Sequence, residues 1–115
     1  MKQQFAGQAL TIYVGEQDQW HGGPLFAAIV KRLWGAGLAG VTVLHGIEGY
    51  GAHRQVHTDR IEVLFQGLPI IIRAVDTPDK IAAALPLLDE MLTEALVTLE
   101  DVQAIRYIKT PPGKP

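Results

Sequence analysis

The stretch Ile70-Ile71-Ile72-Arg73-Ala74-Val75, followed at once by Asp76-Thr77-Pro78-Asp79, decides the fold of this chain. A short segment that is apolar apart from Arg73 fits a strand covered on both faces. Thr77-Pro78-Asp79 then opens a helix. It offers a hydroxyl cap, a proline where the N–H has no intrahelical partner, and an acid near the positive end of the helix dipole. Ile81, Leu85, Leu88 and Leu92 supply the buried stripe, and Pro86 is expected to kink this helix or split it into two shorter pieces.

Upstream, Leu10, Ile12 and Val14 alternate with Thr11 and Tyr13, the period of a half-buried strand that Gly15 ends. A polar connection from Glu16 to Gly23 leads to Pro24, which suits a first helical turn. Leu25, Phe26, Ile29, Val30, Leu33 and Trp34 follow helical spacing until Gly35 and Gly37 stop it. Val41, Val43, His45 and Ile47 make a second strand, running into Gly46, Gly49 and Gly51. Ile61, Val63 and Phe65 make a third, and Gly67-Leu68-Pro69 turns the chain into the strand quoted first. Downstream, Val102 to Ile108 is the last strand and 109–115 a flexible tail. We read 1–115 as a single domain with its core at about 8–108.

The order strand, helix, strand, strand, strand, helix, strand contains two βαβ-like halves once one strand of the middle hairpin is set aside. That is an α+β, ferredoxin-like (split βαβ) sandwich with an extra hairpin strand in the middle. Two helices cover one face of such a sheet. The strand at Ile70 to Val75 is apolar on both, so the other face calls for burial against further copies in a closed symmetric oligomer.

Composition narrows the function. The 115 residues are 48% hydrophobic and 19% charged, enough for a packed core. A net charge of −2 and a pI near 6.0 leave no basic face for nucleic acid. Cysteine is absent, which removes disulfides, zinc–thiolate sites and thiol nucleophiles and fits a reducing compartment. Neither a secretory leader nor a long apolar run is visible, so a cytoplasmic address is expected. The chain also has no serine, and no threonine has a base paired with it in sequence. The expectation is a protein that binds and is not an enzyme.

The densest group of unusual residues runs from His45 to Thr58 and holds Gly46, Glu48, Gly49, Tyr50, Gly51, His53, Arg54 and His57. Glycines let the backbone turn sharply and bring N–H groups to an anion, an aromatic ring stacks on a base, and arginine pairs with phosphate. A glycine-rich hairpin carrying surface histidines explains the same residues. Imidazoles at His53 and His57 are also potential ligands for a divalent metal, although their spacing matches no established metal motif. A second group, Glu16, Asp18 and His21 before Pro24, reads either as an acid–base set or as an ordinary strand-to-helix connection. Arg73, a cation in an apolar strand, needs a partner or an anionic ligand unless it snorkels past the sheet edge.

Taken together, the motifs resemble a known family. They are Thr11-Ile12-Tyr13-Val14-Gly15-Glu16, His21-Gly22 with Pro24-Leu25, and Gly37-Leu38-Ala39-Gly40. Further along come Gly46-Ile47 with Gly49-Tyr50-Gly51, His57-Thr58, Leu68-Pro69, Val75-Asp76, the run Val97 to Val102, and Arg106-Tyr107. From Leu10 to Tyr107 the chain is similar to the bacterial and archaeal domain of unknown function 190 (UPF0166-type) family, which is PII-like and related in fold to the PII signalling proteins. The resemblance implies a homotrimer with its sheets facing inward. It also implies an adenine nucleotide (AMP, ADP or ATP) in the cleft between subunits, and a loop at 46–57 that the ligand orders. That loop is shorter than in true PII proteins and lacks their modified-tyrosine context.

On this reading Gly46, Gly49 and Gly51 provide backbone donors, Arg54 or Arg73 offsets phosphate charge, and Tyr50 and His57 border the ligand. A partner protein, with a membrane transporter as the candidate, reads the state of the loop. The competing expectation is a divalent-metal-binding trimer similar to the CutA proteins, using His53 and His57.

Overall fold

The computed structural model describes residues 1–47 and 68–109. The expected third strand over Ile61, Val63 and Phe65, and the loop from Glu48 onward, lie outside these residues.

Two long strands, β1 (Lys2–Gly15) and β6 (Leu96–Tyr107), form the antiparallel spine of the molecule. Between them come a small hairpin of β2 (Gln19–Trp20) and β3 (Gly23–Pro24), helix α1 (Leu25–Gly35), β4 (Val41–His45), β5 (Pro69–Asp76) and helix α2 (Pro78–Leu88). The main sheet has the order β4-β5-β1-β6 with every neighbour antiparallel. Non-adjacent strands in sequence lie side by side because each helix carries the chain across the sheet, the arrangement of a ferredoxin-like fold. The strand and the helix start read from Ile70 to Asp79 are both present, while cover on both faces of the strand is not seen in the single chain.

The register explains which residues are inside. Leu10, Ile12 and Val14 on β1 stand opposite Ala74, Ile72 and Ile70 on β5, and all six are buried with Leu25, Ile29 and Leu33 of α1 and Ile81, Ala84 and Leu88 of α2. This is the helix-covered face. The alternate β5 residues, Ile71, Arg73 and Val75, point to the open face and are only half-buried in a single chain. One row across that face is apolar in all four strands: Leu44, Ile71, Tyr13 and Leu96. Leu44 and Leu96 are 49% and 59% exposed, so the face remains open in the isolated subunit.

β4 ends at His45 and not at Ile47 as read in the sequence, and three larger differences stand beside it. β1 starts at Lys2 and β6 at Leu96, so the pair extends well beyond the alternation at Leu10 to Val14. From Lys2 to Gly7, β1 pairs with β6 alone, because β5 ends opposite Gln8. Lys2, Gln3, Gln4 and Ala6 are exposed, and Phe5 is the one large apolar residue of the segment, so no period-two hydrophobicity arises there. The third difference is α2, which continues through Pro86 as one helix to Leu88. The proline falls in the last turn, where little helix remains to be broken.

Candidate functional site

Of the sequence-predicted residues that the structure describes, Glu16, His45 and Gly46 converge on one end of the sheet, where β1 and β4 finish and β5 begins. Glu16 N–H donates to Leu68 O at 2.8 Å, and Gly46 N–H donates to Pro69 O at 2.8 Å. These bonds fasten the end of β1 and the root of the glycine-rich loop to the same two residues. Glu16 and His45, distant in sequence, thereby meet: the carboxylate Oε2 lies 3.4 Å from His45 Nε2, with both side chains part-exposed. Neither residue's local context announces this pairing, since it requires the crossover of α1 and the strand order β4-β5-β1.

Gly46 is needed for space. A Cβ there would stand 2.7 Å from Pro69 Cγ and 3.2 Å from Pro69 O. Its N–H is already committed to Pro69 O, so it is not the free anion donor that the sequence suggested. The physical reason is the β4–β5 ladder, which continues one residue past the strand end.

Arg73 lies elsewhere. Its guanidinium donates to Thr11 Oγ1 at 2.9 Å and approaches Glu100 Oε1 at 3.8 Å on the open sheet face. Four strand residues separate it from Pro69, about 13 Å at the usual rise, so within one chain it does not reach the Gly46 end. Its cation finds partners on β1 and β6, the neighbours that register assigns through Thr11↔Arg73 and Ala9↔Glu100.

The connection after β1 is built by local geometry. Asp18 accepts Gly15 N–H at 2.8 Å on its carboxylate, and its carbonyl accepts Leu25 N–H, so it closes the turn and anchors the start of α1. His21 and Gly22 are the two loop residues of the β2–β3 hairpin, with φ of 49° and 82°. Positive φ at both positions is the type I′ geometry that matches strand twist. The His21 ring stacks on Trp20 with centroids 4.2 Å apart. Glu16, Asp18 and His21 thus serve different local ends, and the structure does not gather them as an acid–base set.

A polar centre that motif reading missed is Asp76. It is buried, and its carboxylate accepts Ala39 N–H at 2.9 Å and Thr77 N–H at 2.7 Å. It therefore ties the α1–β4 turn to the mouth of α2. The available signal was an acid ending an apolar strand directly before a helix cap. Gly49, Tyr50, Gly51, His53, Arg54 and His57 lie outside the described residues. Among the described residues no three His, Asp or Glu side chains gather as metal ligands, and no helix is long and apolar enough to cross a membrane.

The strand order and the two helices define an α+β, ferredoxin-like fold of the PII-like kind. Residues 7–104 match the family model of domain of unknown function 190, described as an uncharacterized ACR, and the chain belongs to that family. A UPF0166 protein of Aquifex aeolicus is 31% identical over 98 residues, covering 84% of this chain and 90% of that one. A UPF0166 protein of Methanocaldococcus jannaschii is 37% identical over 93 residues, covering 80% and 85%. Among solved structures the chain is similar to CPII from Thiomonas intermedia K12 bound to ADP and bicarbonate. The TM-score is 0.64 at 18% identity, over 89% of this chain and 91% of that one.

Proposed function

We propose that this protein is a PII-like regulatory module that forms a homotrimer through its open sheet face. It binds an adenine nucleotide, or a similar small anion, in the cleft between subunits beside the 46–57 loop. Its role is to bind and signal, without catalysis. The observation that carries this reading is the loop root: β1 and β4 end together against Leu68 and Pro69, beside an apolar, uncovered sheet face, and Gly46 is the first glycine of the segment assigned to the ligand. Support comes from a protein of similar fold whose crystals held ADP and bicarbonate.

Arg54 is the side chain assigned to phosphate, and Tyr50 and His57 border the ligand. Arg73, held by Thr11 on the open face, is available to a neighbouring subunit. Ligand binding changes the population of loop states, and a partner protein, such as a transporter, responds to the difference. Calorimetry with AMP, ADP and ATP on the folded protein tests this. Heat with at least one nucleotide, reduced at least tenfold in affinity by Arg54→Ala, is expected; absence of heat with all of them overturns the reading.

A further inference from the structure

The base of the β1–β6 ribbon carries an unguarded strand edge. Ile108 N–H donates to Met1 O at 2.8 Å and the Met1 ammonium donates back to Ile108 O at 2.9 Å. This pair fixes the phase of the ladder: odd-numbered β1 residues turn their N–H and C=O toward β6, and even-numbered ones turn them the other way. The β5 side agrees, since Glu16 N–H reaches Leu68 O. β5 stops opposite Gln8, so Lys2, Gln4 and Ala6 present backbone donors and acceptors that no strand among the described residues pairs. Of the three, Gln4 borders an open groove of about 420 Å³, together with Gln3, Phe5, Asp76, Thr77 and Arg106.

Edge strands usually carry charges or proline that discourage further pairing. The outer edge strand β6 does, with Glu100, Asp101 and Arg106. The free edge carries one charge, Lys2 at its end, and Gln3-Gln4-Phe5-Ala6-Gly7-Gln8 has neither charge nor proline.

We propose that this edge pairs antiparallel with the same edge of a second copy about a two-fold axis through Gln4. Even residues must face even residues for the bonds to form, which sets Gln4 opposite Gln4 and Lys2 opposite Ala6. No like charges meet in that register, and it supplies roughly six backbone hydrogen bonds. The contact joins two sheets edge to edge and is separate from the open face, so it stands or falls independently of nucleotide binding.

Gln4→Pro removes a donor from the free edge and none from the β1–β6 ladder. It is expected to halve the particle mass seen by mass photometry, while Gln4→Val leaves it unchanged; equal masses for the parent and Gln4→Pro overturn the proposal. A second test does not depend on how well the proline variant folds. The chain has no cysteine, so Gln4→Cys introduces its sole thiol. At about 5.5 Å between Cα atoms across such a pair, the two thiols are within disulfide reach. Rapid covalent dimer formation under mild oxidation is expected, at least tenfold faster than for Gln103→Cys on the same ribbon. Equal rates overturn it.

Discussion

At Gly46 the loop root leaves no room for a side chain, because a methyl group would press on both the ring and the carbonyl oxygen of Pro69. Gly46→Ala must displace β5 or break the Gly46–Pro69 hydrogen bond, and a loss of about 1–3 kcal/mol in urea denaturation is expected. Asp76 tests a different physics. Asp76→Ala leaves the Ala39 and Thr77 N–H groups facing a site the carboxylate no longer fills. The cost of such orphaned donors is about 1–3 kcal/mol, again read from the urea midpoint. Arg73 lends itself to comparison with its partner: once the open face is covered, Thr11→Val leaves that cation without its nearest acceptor.

Among the elements, β5 shows how far patterning reaches. Its apolar run and the Thr77-Pro78-Asp79 start were legible because each residue type has a local physical reason to be there. Which residues of that run face the helices was not, since both faces read as hydrophobic; only pairing with β1 separates Ile70, Ile72 and Ala74 from Ile71 and Val75. The two sets should respond differently. Ile72 is fully buried, so Ile72→Ala is expected to cost about 2–5 kcal/mol of stability. Ile71→Asp is expected to leave each subunit folded and to lower the assembly mass in light scattering. The β1 half of the ribbon escaped sequence reading for the opposite reason: its residues are mostly polar or small and form no period-two pattern, although the β6 half was read as Val102 to Ile108. The Glu16–His45 pair escaped because a whole helix separates its members in the chain.

For the whole molecule, the apolar row Leu44, Ile71, Tyr13 and Leu96 is left open in a lone subunit, and it is the strongest physical reason behind the proposed self-association. The same sheet order has a kinetic meaning. β1 occupies the middle of the sheet, yet its partners are β5 and β6, and Lys2 pairs with Tyr107. β5 can join β1 once Asp76 has been made, but the other edge of β1 waits for the β6 residues Leu96–Tyr107. Folding should be slow for a chain of this size, in the range of milliseconds to seconds that long-range strand pairing imposes. During that wait the exposed strand is a natural client for chaperones.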